Sequence, residues 1–167
     1  MKVRYSFVAS PFGDLLAART PRGIVRLAFP EEDTDAALEE LAANVSPEIE
    51  EAAPGLEAGE LEEYFEGRRR SFGLRADLSL VPEGFSRRVL EATGRIPFGA
   101  VSTYGDVARR AGSRRAARAA GNALGGNPVP IVIPCHRVVP AGGGLGGYGG
   151  HEDRKAFLLR LEGAVRP

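Results

Sequence analysis

Cys135 is the only thiol of a 167-residue chain, and His136 and Arg137 follow it directly. A thiolate is a nucleophile and a neutral imidazole is a base, so the pair has the makings of an attack on an electrophilic carbon. The cationic neighbours favour the thiolate form. The competing reading is a buried structural cysteine, since free Cys is among the most buried residue types. Cys135 follows Pro134 at the end of an apolar run, residues 129–133, that reads as a strand. Strand neighbours point to opposite faces, so Cys135 and His136 can cooperate only if the backbone turns there or a water bridges them. His136 also needs a partner for its second ring nitrogen, and Glu162 in the last expected helix is the candidate. One cysteine excludes an internal disulfide and any zinc site built on two thiolates. We expect no metal.

A second constellation surrounds Arg118. Residues 104–122 fit a helix-turn-helix, with Gly112 as the turn and the small Ala108 four residues before it. Ser113 is the expected cap of the second helix. In that helix Ala116, Ala117, Ala119, Ala120, Gly121 and Ala123 surround Arg118. A helix with side chains is about 10–12 Å across and a B-form minor groove only about 6 Å wide. A helix of small residues could press into a widened minor groove with Arg118 protruding. Close helix packing by alanines explains the same composition. The protruding Arg118 favours the groove slightly, and the charge is asymmetric: residues 86–125 hold eight Arg against Glu91 and Asp106, whereas residues 31–66 hold fourteen acids and no Lys or Arg. Such asymmetry suggests a polyanion on the basic side, or two solvated faces. Arg114 and Arg115 are candidate phosphate contacts.

The elements that must position these residues fall into two groups. Residues 1–30 alternate apolar and polar around turns at residues 11–14 and 21–23, which predicts a strand meander. Ala37, Leu38, Leu41 and Val45 share a helical face, capped by Asp33 or Thr34. A second helix is expected over Leu56–Phe65, with Leu61, Tyr64 and Phe65 inward, and a further strand over 72–80. Beyond Pro82 the pattern becomes helical and glycine-rich. An amphipathic helix holds Phe85, Val89 and Leu90, and a loop with seven glycines between Gly142 and Gly150 precedes a last helix at Glu152–Leu161. We expect an α/β protein of two domains, 1–80 and 81–167. No apolar run approaches the roughly 18 residues of a membrane span, and the N-terminus lacks the apolar centre of a secretory signal. A cytoplasmic location is the expectation.

The segment Gly126-Asn127-Pro128-Val129-Pro130-Ile131-Val132-Ile133-Pro134-Cys135-His136-Arg137-Val138-Val139 closely resembles the active-site segment of the O6-alkylguanine-DNA alkyltransferases. The likeness runs from about Phe85 to Gly163, through the Tyr104 helix, the Ala-Ala-Arg-Ala helix, Gly147-Tyr148-Gly149-Gly150 and Leu161-Glu162-Gly163. Residues 1–80 share only length and strand–helix pattern with the family. The resemblance implies a ribonuclease-H-like first domain and a mainly helical, winged-helix-like second domain that binds DNA. It implies DNA repair by direct reversal: single-turnover, irreversible transfer of an alkyl group from O6-alkylguanine in double-stranded DNA to Cys135. O4-alkylthymine is left open as a second substrate.

The family extrudes the base from the minor-groove side, since a stacked base cannot present its O6-alkyl carbon to a thiolate. On that pattern Tyr104 rotates a phosphate and hydrogen-bonds the flipped base, and Arg118 fills the vacated stack. Ala117, Ala119 and Gly121 flank Arg118 on the DNA side, and Arg114 and Arg115 either meet phosphates or sit on a solvated helix face. Asn127 ties the recognition helix to the active-site strand. His136 takes the thiol proton through water, and Glu162 orients it. Backbone groups of Cys135, Val138, Tyr148 and Gly149 read the base. The resemblance implies a monomer without cofactor or metal. Gly149 replaces a Ser of some relatives, which removes a hydroxyl contact and keeps a backbone one. His151 reads as an exposed residue before the last helix. Two alternatives stay open: a non-catalytic protein that binds alkylated bases, and an unrelated cysteine hydrolase.

Overall fold

A computed structural model of the chain describes residues 1–164, which form two compact units divided between Val81 and Pro82. In the first, β1 (Val3–Val8), β2 (Leu15–Thr20) and β3 (Gly23–Ala28) form the antiparallel meander. After α1 (Thr34–Asn44), β4 (Ile49–Glu51) returns parallel to β1, giving the order β3-β2-β1-β4. The helix is capped by Asp33, whose carboxylate accepts from Ala36 N at 3.1 Å. Its apolar stripe lies on the sheet: Leu41 packs with Val3, Ala18 and Val25, and Leu38, Val45 and Leu80 close around them. Burying side chains of this size stabilises by about 1.5–3 kcal/mol each.

The helix α2 (Leu56–Phe65) buries Leu61 and Tyr64 as its pattern predicts, and Phe65 meets Phe12 edge-on at 6.0 Å. It also buries Glu57, which accepts from Arg19 at 2.9 Å and from the backbone of Gly55 at 3.0 Å. Other acids of the 31–66 segment are likewise spoken for, with Glu32 on Arg26, Glu50 on Arg4 and Glu63 on Arg69. Much of its charge is therefore balanced within the unit.

The strand expected at 72–80 is not a strand. Residues 75–77 touch β3 at one point, where Ile24 N–H donates to Arg75 O at 2.8 Å and Asp77 N–H to Ile24 O at 2.7 Å. Side chains hold the rest: Glu60 accepts from Gly73 N at 2.9 Å, and the buried Asp77 accepts from Thr20 Oγ1 at 2.5 Å. Only glycine fits at Gly23, where φ is +140° and a Cβ would lie 2.3 Å from Arg75 O.

The second unit packs α3 (Phe85–Thr93), α4 (Tyr104–Arg110) and α5 (Ala117–Gly125) against one another, with α6 (Glu152–Leu161) beyond the glycine loop. A short parallel pair, β5 (Ser102–Thr103) and β6 (Val138–Val139), joins them. Thr103 caps α4 by accepting from Asp106 N at 3.1 Å. Ser113 caps nothing. Its carbonyl closes a turn with Ala116 N at 3.1 Å, and α5 begins at Ala117 after an uncapped Ala116. The expected helix start thus moves down by one turn, leaving Arg114 and Arg115 exposed in the turn itself. Among the described residues no helix is long and apolar enough to cross a membrane.

Candidate active site

The approach to Cys135 is a wound loop rather than the expected strand. Pro128, Pro130 and Pro134 have no N–H to give a ladder. Ile133 N–H instead donates back to Val129 O at 2.9 Å, and Ile131 takes a left-handed φ of +76°. For a β-branched residue that conformation costs of order 1–3 kcal/mol. Burial of Val129, Ile131 and Ile133 offsets it. Asn127 clamps the loop from inside: its Oδ1 accepts from Val129 N at 3.0 Å and its Nδ2 donates to Ile133 O at 2.9 Å. One residue, two past α5, thereby fixes both ends of the segment that leads into the thiol.

Residues Cys135–Arg137 form one 3-10 turn. Successive side chains there are about 120° apart, so Cys135 and His136 escape the opposite-face constraint of a strand. Cys135 is half-buried. Burial pushes its thiol above the ordinary value, against hydrogen bonds from Asn127 and Tyr148 and the charge of Lys155. Arg137 is not among these partners. Its guanidinium is spent elsewhere, so the expectation that it would favour the thiolate gives way to Lys155. A raised thiol needs a base.

His136 is fully buried, and its Nε2–H donates to Glu162 Oε2 at 2.8 Å. That assignment leaves Nδ1 as the acceptor, and among the described residues no group meets it. Burial lowers the pKa of His136, and Glu162 pulls it the other way. The ring is therefore neutral at neutral pH with its lone pair unspent. Glu162 closes α6 and is itself buried, paired with Arg137 through Nε at 2.8 Å.

Tyr104 opens α4, and a Cβ on Gly146 would lie 2.8 Å from its hydroxyl, so the glycine loop passes against it. Burial raises the tyrosine's pKa, with the charge of Cys135 adding to it. Sequence reasoning missed the residue that ties these pieces together. Lys155 is 1% exposed, and its Nζ donates to Val138 O at 2.6 Å and Gly147 O at 3.3 Å, and stands 3.5 Å from the Tyr104 hydroxyl. Burial brings it down to about 8. The signal was present: Lys155 shares the inward face of α6 with Leu158, Leu159 and Glu162, and a cation in that stripe must have partners.

Val138 N–H donates to Cys135 O and its carbonyl serves Lys155, so only the carbonyl's second lone pair is open to a base. Gly149 is exposed at a φ of +61°. His151, expected to be exposed, is half-buried; its carbonyl accepts from Arg154 N at 3.0 Å at the start of α6. On α5, Arg118 and Ala119 are exposed, and Ala117 and Gly121 are half-buried. Among the described residues no group of three or more His, Cys, Asp or Glu could hold a metal ion.

A two-unit α/β chain whose half-buried cysteine sits beside a buried His–Glu pair, next to a helix-turn-helix, has counterparts among known proteins. Residues 3–78 match the family profile for the 6-O-methylguanine DNA methyltransferase ribonuclease-like domain, and residues 84–164 match the DNA-binding domain of the same family. The chain is 37% identical over 162 residues to a methylated-DNA–protein-cysteine methyltransferase of Methanosarcina acetivorans, covering 96% of this chain and 98% of that one. It is 36% identical to the constitutive enzyme of Bacillus subtilis, covering 95% and 94%. The O6-methylguanine methyltransferase of Mycobacterium tuberculosis superposes with a TM-score of 0.82 at 34% identity, over 99% of this chain and 95% of that one. The same bacterium's enzyme in complex with DNA gives 0.80 at 33% identity, over 98% and 93%. The chain belongs to the 6-O-methylguanine DNA methyltransferase family.

Proposed function

We propose that this protein repairs DNA by direct reversal, moving the alkyl group of O6-alkylguanine onto Cys135. The sulfur attacks the alkyl carbon, an S–C bond forms and the C–O6 bond breaks. The electron pair leaves with guanine. His136 Nδ1 takes the thiol proton through water, and the guanine anion regains a proton, so alkyl and hydrogen have changed places. The product is a thioether without a good leaving group, and each molecule acts once. The observation that carries this reading is the Cys135 thiol on the same tight turn as a buried imidazole whose Nε2 is held by Glu162 and whose Nδ1 is unspent. The acceptor is the protein's own sulfur, so the reading calls for neither cofactor nor metal. It is of a monomeric cytoplasmic protein.

Incubation with duplex DNA containing O6-methylguanine, followed by mass spectrometry, tests it. We expect one methyl group per chain, on Cys135. An unmodified protein that still holds the DNA would point to a lesion binder, and turnover of an ester or amide to a hydrolase.

The DNA side of the proposal rests on α5. Arg118 is exposed on α5 among small residues, which supports the reading that it fills the stack once the base is out. Extrusion costs a few kcal/mol, and withdrawing even about 1.4 kcal/mol of its repayment slows the reaction about tenfold. Arg118→Ala is therefore expected to slow transfer from duplex DNA at least about tenfold. Free O6-benzylguanine needs no extrusion and should react at close to the parent rate. Equal losses on both substrates would move Arg118 out of the flipping step.

A further inference from the structure

Glu162 holds more than His136. Arg137 Nε meets its Oε1 at 2.8 Å and Arg137 Nη2 meets its Oε2 at 2.8 Å, a two-point grip on one buried carboxylate. The third guanidinium nitrogen, Nη1, donates to Ile96 O at 2.5 Å, and the plane's far side faces the Phe98 ring with its centre 5.9 Å away. Every part of the side chain has a partner that fixes it. Oε2 of Glu162 thus accepts from Arg137 Nη2 and His136 Nε2 together.

That shared oxygen sets a problem and its solution. A buried carboxylate beside an imidazole favours the imidazolium, by about 1–3 pK units for close opposite charges. An imidazolium carries a proton on both nitrogens and has no lone pair to offer a thiol. The charged groups facing His136 are Lys155 from α6, Glu162 from its C-terminal cap and Arg137 from its own turn, where the Cys135 thiol adjoins it. Burial holds His136 below its ordinary value; Glu162 raises it, and Arg137 and Lys155 oppose Glu162. Of these, Arg137 alone touches the carboxylate.

We propose that Arg137 is a positioning residue for alkyl transfer: its grip on both Glu162 oxygens offsets the carboxylate's charge, so that Glu162 orients His136 through Nε2–H and leaves Nδ1 free as the base. The inference rests on the function proposed above. A lysine could supply the charge but not the planar fork that spans two carboxylate oxygens while reaching Ile96.

The chain has two histidines, so ring nitrogen NMR across a pH series follows His136 against His151 alone. The parent should show the Nε2–H tautomer of His136, titrating below about 6.5. In Arg137→Gln the midpoint should rise by about 1–3 pH units, and the acid limb of the transfer rate should rise with it while the rate at high pH recovers. Two further variants decide the matter even if Arg137→Gln does not fold. Glu162→Gln leaves Arg137 uncompensated, and its His136 midpoint should lie about 1 unit or more below that of Glu162→Gln/Arg137→Gln. Equal midpoints in that pair, an Nδ1–H tautomer in the parent, or an Arg137→Gln loss that is uniform with pH would overturn the proposal. The titrations need no DNA. A parent that accepts no alkyl group would sink the proposed function, while the histidine spectra would still judge Arg137.

Discussion

Cys135→Ala is expected to lose alkyl transfer entirely and to keep duplex affinity within about threefold, because phosphate contacts carry most of the binding. The sulfur is the only atom of the protein that bonds the alkyl carbon, and no second thiol exists to replace it. Geometry adds a smaller effect. Asn127 and Tyr148 are polar neighbours that pull the thiol's pKa down, and alanine removes what they act on at a half-buried site, although Asn127 Nδ2 keeps Ile133 O. Each such loss costs about 1–3 kcal/mol where water cannot reach. The variant should therefore unfold at a somewhat lower temperature than the parent while binding alkylated DNA. Mass spectrometry after incubation with O6-methylguanine duplex, alongside a binding isotherm and a thermal melt, reads all three. A methyl group found anywhere on this variant would refute the assignment of Cys135.

His136→Ala carries the second largest effect, a loss of about 10²–10⁴-fold at neutral pH, the usual worth of a general base. Its sign with pH follows from two opposed shifts. Burial raises the thiol, so little thiolate forms unaided, and burial lowers His136, so the neutral base is present from mildly acidic pH upward. The parent rate should rise with pH through the His136 midpoint and then level. Without the imidazole, ionisation must come from solvent. The variant's rate should climb about tenfold per pH unit up to the thiol's own raised value, as the thiolate fraction does. The deficit then narrows as pH rises. A His136→Ala rate that levelled in step with the parent would mean that another group takes the proton.

The helices of the second unit were legible because their signals are local. Gly112 as a turn and the glycine loop over 142–150 mark the end of α4 and the start of α6 within a few residues. The meander was legible from alternation between short turns. Residues 129–133 were not, since an apolar run reads alike as a strand or a wound loop, and prolines at alternate positions decided for the loop. The 72–80 segment failed for a related reason: its partners are Glu60, Thr20 and Ile24, each far away in sequence. At the site, adjacency exposed Cys135 and His136, the imidazole's need of a partner pointed to Glu162, and resemblance supplied Asn127. Lys155 and the true destination of Arg137 stayed hidden, because nothing local says which carboxylate or carbonyl a cation will meet after folding.

The network around Glu162 joins Ile96, Arg137 and His136 to the C-terminal end of α6, made after the nucleophile. A chain still on the ribosome, with Cys135 and His136 synthesised and residue 162 not yet added, has a thiol and an imidazole but no anchored base. It meets alkylating agents only as an ordinary cysteine. For a protein spent by a single reaction, this ordering in time matters. On the proposed mechanism the anchored base is assembled only when α6 has been made, well after the thiol it serves.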